Sequence, residues 1–214
     1  MGRFGFFVSI EGIEGSGKST LLYGLKDYVE SLGLDVVITR EPGGTVFAEQ
    51  IRDLILHRDE DIDPWTEVFL LIAARRENIV KVILPALRDG KVVISDRFTD
   101  STLAYQGYGR GLPLKKLSLL NKIATSRVFP RLTFLIDLPV EKGLGRKKGR
   151  FDRIEKEKLE FHERVRQGYL TLARKAKKRI KVLDGTKDPE TLLEEARNLL
   201  RKALLEKKKI KGEL

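Results

Sequence analysis

The run Gly12-Ile13-Glu14-Gly15-Ser16-Gly17-Lys18-Ser19 has the spacing G-x-x-x-x-G-K-[ST]. Its chemistry is phosphate binding. Glycines let the backbone curl so that successive N–H groups converge on phosphate oxygens. The N-terminus of a following helix adds the positive end of its dipole. Lys18 is placed to reach the β- and γ-phosphates, and the Ser19 hydroxyl to ligate Mg²⁺. A nucleotide triphosphate site is therefore expected over Gly12 to Thr20, with Mg²⁺ as its metal. The loop alone leaves kinase, GTPase and ATPase open. The N-K-x-D signature that reads guanine is missing, because Asn121-Lys122 is followed by Ile123 and Ala124. At 214 residues, a small phosphotransferase suits the chain better than a motor ATPase.

Such a loop needs a strand before it and a helix after it, and the pattern supplies both. Residues 4–10 read as a buried strand and 18–32 as a helix stopped by Gly33. Further strands are expected at 35–39, 91–95, 132–136 and 180–183, and further helices at 46–56, 64–88, 114–126, 155–177 and 189–205. Pro64 suits a first helical turn, and Pro85 predicts a kink or an early end to its helix. Short continuous apolar strands alternating with helices imply an α/β fold, a three-layer sandwich around a central, mostly parallel five-stranded sheet. In such a sheet ligands bind beyond the carboxyl ends of the strands. No repeat or linker divides the chain, so a single domain over residues 1–214 is expected, with a basic lid at about 142–153 and a basic tail at about 206–214.

Composition removes other chemistries. With no cysteine and only His57 and His162, disulfides, thiolate zinc and histidine metal clusters drop out. No apolar run approaches the ~20 residues that span a bilayer, and no signal-peptide pattern opens the chain. No membrane association and a cytoplasmic setting are the expectation. The net charge of +11 suits polyanionic partners. Much of the excess lies near Arg146, Lys147, Lys148 and Arg150 and in the run 207–211. Neither run carries the aromatic signature of RNA-binding modules, so no stable nucleic-acid partner is expected.

Beyond the phosphate loop, the chain carries Thr39-Arg40-Glu41-Pro42-Gly43-Gly44-Thr45, Ala73-Ala74-Arg75, Asp96-Arg97-Phe98, Ser101-Thr102-Leu103-Ala104-Tyr105-Gln106-Gly107 and Asp152-Arg153-Ile154-Glu155. In order and spacing this set resembles the bacterial-type thymidylate kinases, over residues 4 to about 185. The resemblance implies ATP and dTMP as substrates, Mg²⁺ as cofactor, and a homodimer, for which the apolar helical face at 68–83 is a candidate interface. It implies that Arg97 clamps the dTMP phosphate near the γ-phosphate, with Arg52 facing the same group and Glu41 ordering Arg97 or nearby waters. Asp96 would organise the metal and its waters. Glu14 would meet the sugar 3′-hydroxyl, while Glu11 is a candidate structural acid of the loop. Arg75 would donate to thymine O4, Gln106 would read the base edge, Tyr105 would pack beside the sugar, and Ser101 and Thr102 would line the pocket. Because the phosphate loop carries no arginine, Arg150 and Arg153 are expected to reach the transferring group from the lid, with Arg146 beside them.

One position departs from that pattern. The aromatic residue that covers the base is replaced by Leu71, and Phe69 lies on a different helical face. Strictness for thymine over uracil is therefore open. So is a related acceptor, dUMP or a nucleoside. A nucleotide switch or nucleic-acid-binding protein is the alternative from another class, and it predicts nucleotide binding without monophosphate-dependent turnover.

Overall fold

The computed structural model describes residues 5–57, 61–146 and 151–210. Five strands, β1 (Phe6–Glu11), β2 (Val36–Arg40), β3 (Val92–Asp96), β4 (Leu132–Asp137) and β5 (Ile180–Asp184), form one sheet in the order β2-β3-β1-β4-β5. Every neighbouring pair is parallel. The helices are α1 (Lys18–Ser31), α2 (Val46–Leu56), α3 (Pro64–Asn78), α4 (Leu84–Arg88), α5 (Thr99–Thr102), α6 (Leu114–Ala124), α7 (Val140–Arg146), α8 (Leu159–Lys175) and α9 (Pro189–Ile210). Wide π-helical turns occupy Ile79–Ile83 and Leu103–Gly109.

The strands read as unbroken apolar runs because both faces of the sheet are covered. On one face Val8, Ile10, Ile94 and Phe134 pack against Leu21 and Leu25 of α1 and Leu192 and Ala196 of α9. On the other, Phe7 and Val93 meet Ile79, Ile83, Leu87 and Phe98, while Leu135 meets Phe161, Val165 and Tyr169 of α8. The alternation of Phe6 and Val8 with Phe7 is the period-2 pleat distributing side chains between the two helical layers. The expected three-layer α/β sandwich is the fold observed.

Two local differences have clear causes. The helix expected over 64–88 is divided, with a π-turn between α3 and α4. Pro85 falls in the first turn of α4, directly after the π-turn Ile79–Ile83, a local adjustment of the kind that accommodates a residue with no N–H to donate. Helix α8 starts at Leu159 rather than near residue 155. Asp152 Oδ1 accepts from the N–H groups of Ile154 and Glu155, and Glu155 Oε2 accepts from Asp152 N. This reciprocal turn competes with helix over those residues.

Candidate functional site

The strand register brings the candidate residues together. Ile10 and Arg40 both lie opposite Asp96, so β1, β2 and β3 end level. The loops leaving them begin side by side, with Arg97 N donating to Ile10 O at 2.9 Å and Glu41 N to Asp96 O at 2.9 Å. The phosphate loop, Glu41 and Arg97 are thus neighbours through backbone pairing alone.

Within the loop, Gly12, Gly15 and Gly17 hold φ of 146°, 68° and 95°, values L side chains rarely adopt. Gly15 also lies under α7. A Cβ there would stand 1.9 Å from Gly143 O, and one on Gly143 would stand 2.5 Å from Glu14 O. Gly143 is therefore a close backbone contact on the loop, whereas Gly145 has open space around its Cβ position. Lys18 Nζ donates to Gly12 O and Ile13 O at 3.2 and 2.8 Å. Burial and the Arg97 charge, partly offset by Asp96, Glu14 and Glu11, bring its pKa down to about 8.

Arg97 occupies the centre of the site. Its backbone is left-handed, φ 66°, an unusual conformation that the surrounding contacts must hold. Its Nη1 donates to Gly12 O at 2.9 Å and to Tyr169 Oη at 3.1 Å, and its Nη2 to Glu14 Oε1 at 2.8 Å. The guanidinium lies over the Tyr105 ring, 4.9 Å from the centroid. Tyr105 Oη also donates to Glu14 Oε1, at 2.7 Å. Burial alone would raise the Glu14 pKa, but Arg97, Lys18 and the Tyr105 hydroxyl outweigh it and hold the carboxyl below its ordinary range.

Behind this layer, Glu11 is fully buried. It accepts from Phe98 N at 2.8 Å, Ser101 Oγ at 2.6 Å and Tyr169 Oη at 3.0 Å. Burial, with the nearby Asp100 charge, pushes its pKa up to about 7 against the pull of those hydrogen bonds and Arg97. These bonds tie the end of β1 to the segment Phe98 to Ser101 and to α8. They anchor the turn that carries Arg97.

Arg52 reaches the same space from α2, donating to Pro42 O at 3.1 Å. Burial and the charges of Arg40 and Arg97 press its pKa down, with Glu49 and Asp96 opposing. A guanidinium in a positive field is one that an incoming anion relieves.

On the other flank, Glu41 pairs with Arg75, not Arg97. Arg75 is 2% exposed and its N–H groups are taken up by Glu41, Phe98 O, Thr102 and Asn121. A guanidinium has five N–H donors, so a base oxygen must displace one of these partners to be bound. Leu71 lines the cavity beside it, while Phe69 is 58% exposed and is not among the lining residues. Gln106 Nε2 donates to Glu67 Oε1 at 2.8 Å.

The lid residues separate. Arg146, on α7, donates to Gly15 O and Gly185 O at 3.5 and 3.3 Å and lines the cavity. Arg153 does not line it. Its guanidinium is drawn to Ile55 O, 2.8 Å from Nε, and to the buried Glu67 carboxylate. An unpaired Glu67 would be costly, and this pairing turns Arg153 away from the phosphoryl position expected of it. Arg150 lies outside the described residues.

These residues enclose one cavity of about 460 Å³, a size suited to a small ligand. It joins the phosphate loop from Glu14 to Thr20 with Arg52, Leu71, Arg75, Asp96 and the segment Ser101 to Gln106. Buried polar atoms of Glu14, Ser16, Glu41 and Asp96 have no hydrogen-bond partner among the described residues, and all four residues line the cavity. Buried polar groups are normally paired, so these mark where ligand groups or solvent are accepted.

Sequence reasoning did not single out Tyr169, Glu67, Arg110 or Asn121. Tyr169 sits four residues after Val165 on one face of α8 and reads as core. Glu67 left a signal. It shares a face with Leu71 and Arg75 at i, i+4 and i+8, an acid on an otherwise cavity-facing stripe.

The thymidylate kinase family model matches residues 10–196. A thymidylate kinase of Syntrophotalea carbinolica is 50% identical over 194 residues, covering 86% of this chain and 90% of that protein. One from Kosmotoga olearia is 46% identical, covering 88% and 92%. Among solved structures, the thymidylate kinase of Ehrlichia chaffeensis superimposes with a TM-score of 0.76 at 37% identity, covering 92% of this chain and 98% of that one. With the phosphate loop, the Arg97 turn and the acceptor cavity in one place, the chain belongs to the thymidylate kinase family.

Proposed function

We propose that this chain transfers the γ-phosphoryl group of ATP to dTMP, giving ADP and dTDP, a step toward dTTP. The observation that carries the reading is Arg97, a part-buried guanidinium in the middle of one cavity that runs from the phosphate loop to Leu71, Arg75 and Gln106. ATP phosphates occupy the loop from Gly12 to Thr20, with Lys18 on the β- and γ-groups. The dTMP phosphate lies between Arg97 and Arg52. Its base enters between Leu71, Arg75 and Gln106, with Tyr105, Ser101 and Thr102 beside the sugar. Glu14, already accepting from Tyr105, is the acceptor closest to a sugar hydroxyl. A monophosphate oxygen is ionised at neutral pH, so attack on the γ-phosphorus needs no general base. Phosphoryl transfer then depends on alignment and charge neutralisation, which Lys18, Arg97, Arg52 and Arg146 supply. Arg150 would add to them from the lid.

Mg²⁺ fits the residues present. Ser19 follows Lys18 at the cavity and Asp96 Oδ1 is buried without a partner. No group of three His, Cys, Asp or Glu able to hold a metal occurs among the described residues, which suits an ion held largely by phosphate oxygens. When bound, it offsets charge on those phosphates. No helix of the described residues is long and apolar enough to cross a membrane; the reading takes the enzyme to work in the cytoplasm, with ATP and dTMP.

The test is Mg²⁺-dependent ADP release with dTMP, dUMP, dCMP, dGMP, AMP and UMP offered separately. dTMP is expected to lead. Leu71 forgoes the aromatic stacking worth about 1–3 kcal/mol at nucleic-acid sites, so dUMP is expected to follow closely. Tight ATP binding with no turnover on any monophosphate would overturn the assignment.

A homodimer is part of this reading. Phe69, Ala73 and Val80 form an exposed stripe along α3 and its π-turn, and Leu119 and Ile123 on the adjacent α6 are 58% and 64% exposed. Val68, Ile79 and Ile83, in the same stretch, are core instead. An apolar patch spread over neighbouring helices marks an interaction surface. Sedimentation is expected to give a dimer, and Phe69→Glu with Val80→Asp a monomer. A monomeric parent protein at micromolar concentration would sink this part alone.

A further inference from the structure

One buried carboxylate ties the base side of the cavity to two other elements. Glu67 is fully buried. Its Oε1 accepts from Gln106 Nε2 at 2.8 Å and Arg110 Nε at 2.9 Å, and its Oε2 from Arg110 Nη2 at 3.1 Å and from Arg153 Nη2. Arg110 continues to Glu157, 2.9 Å away, and lies over the Phe161 ring at 5.2 Å. Burial would raise the Glu67 pKa, but Arg110, Arg153 and Gln106 together hold it below its ordinary range, so it is ionised.

An ionised carboxylate accepts hydrogen bonds and donates none. Gln106 must therefore turn its NH₂ toward Glu67. The amide oxygen is left as the polar end available to the cavity that Gln106 lines. An acceptor there suits a ring edge that donates, such as the N3–H of thymine or uracil, and opposes one that accepts, such as N3 of cytosine. We propose that Glu67 is a specificity-determining positioning residue, which fixes the polarity of the Gln106 amide and so selects a pyrimidine with N3–H against one without. This rests on the dTMP reading above. Arg110, paired with both carboxylate oxygens through Nε and Nη2, keeps the carboxylate charged and in place even without Arg153.

The probe is 5-methyl-dCMP, which keeps the ring methyl of dTMP and reverses the hydrogen-bonding edge. The readout is the ratio of kcat/KM for dTMP to that for 5-methyl-dCMP. Glu67→Gln gives Gln106 a neighbour that accepts or donates, freeing its amide to turn. The ratio is expected to fall about tenfold or more, on the scale of one correctly paired base contact, with KM for ATP unchanged. Glu67→Asp keeps an acceptor-only partner and is expected to retain the ratio. Should Glu67→Gln fail to fold, Glu67→Gln with Arg153→Gln removes one charge of each sign, and Arg153→Gln alone is its control. The ratio is expected to fall in the double variant and hold in the control. A ratio unmoved in every folded variant lacking the carboxylate, with only stability or overall activity reduced, makes Glu67 merely structural and overturns the proposal. Failure of the parent enzyme to use dTMP would instead sink the dTMP reading itself.

Discussion

Replacing Arg97 with alanine is expected to lower kcat/KM for dTMP on the order of 10³-fold, the lower range for an arginine that neutralises a transferring phosphoryl group. Two polyanions must come within bonding distance, and on the proposed reading Arg97 lies between their sites. Part of the loss falls on KM, because the monophosphate loses a ligand, and part on kcat, because charge developing in transfer is left uncompensated. Lysine is expected to recover little. The guanidinium donates at once to Gly12 O, Tyr169 and Glu14, and a single ammonium has neither that fork nor its planar stacking on Tyr105. The substitution also strands Glu14, whose side chain is only 13% exposed. Arg97→Ala is therefore expected to lower thermal stability, and adding Glu14→Gln to restore it by removing the unpaired charge. Activity should not return with stability. That split separates catalysis from folding. Arg97→Ala retaining activity within tenfold of the parent, in steady-state assays with dTMP saturating ATP-loaded enzyme, would remove Arg97 from the mechanism.

The sheet and its order of elements were legible because their causes are local. Each strand is a short apolar run, and several helices have a local start or stop, as Thr45 caps α2, Asp63 caps α3 and Gly33 follows α1. The phosphate loop is the same kind of feature: its glycines are required by backbone angles at their own positions. Local reasoning also misled where two local rules competed. Pro85 reads as a breaker, yet helical backbone continues through it behind a π-turn just upstream. Glu155 suits the start of an amphipathic helix, yet Asp152 binds the same backbone N–H groups first and delays α8 to Leu159.

What the sequence left unsaid is pairing over long distances. Arg75 could be matched to a base-reading role, but its satisfaction by Glu41, Thr102, Asn121 and Phe98 O depends on three other segments. Arg153 belongs by position to a basic lid, and only the fold shows that a carboxylate on α3, 86 residues earlier, competes for it. Tyr169 touches both Arg97 and Glu11, yet at its own position it has the spacing of an ordinary core residue. Such ties link residues whose sequence separation carries no pattern. They are also the ties that set charge in the site: Glu14, Arg97 and Lys18 each owe their shifted pKa partly to one another.

That coupling gives Lys18 a measurable signature. Burial and Arg97 bring its pKa in the unliganded protein down to about 8, so above that pH the amine is progressively neutral. ATP adds negative charge beside it and favours the ammonium form, raising the pKa in the complex. The sign follows by linkage: ATP binds the protonated form more tightly, so affinity is fully present below pH 8 and weakens as pH rises through it. The dissociation constant for ATP is expected to rise by up to about tenfold per pH unit above pH 8, the slope of one linked proton, until the raised pKa of the complex is reached. Calorimetry near pH 8.5 in buffers of different ionisation enthalpy should register proton uptake on binding. Lys18→Met is expected to abolish both the slope and the uptake, and to lower kcat about 10²- to 10³-fold, as for loss of one preorganised donor at a charged transition state. A dissociation constant that stays flat from pH 7 to 9.5 in the parent protein would overturn the lowered Lys18 pKa and its coupling to ATP binding.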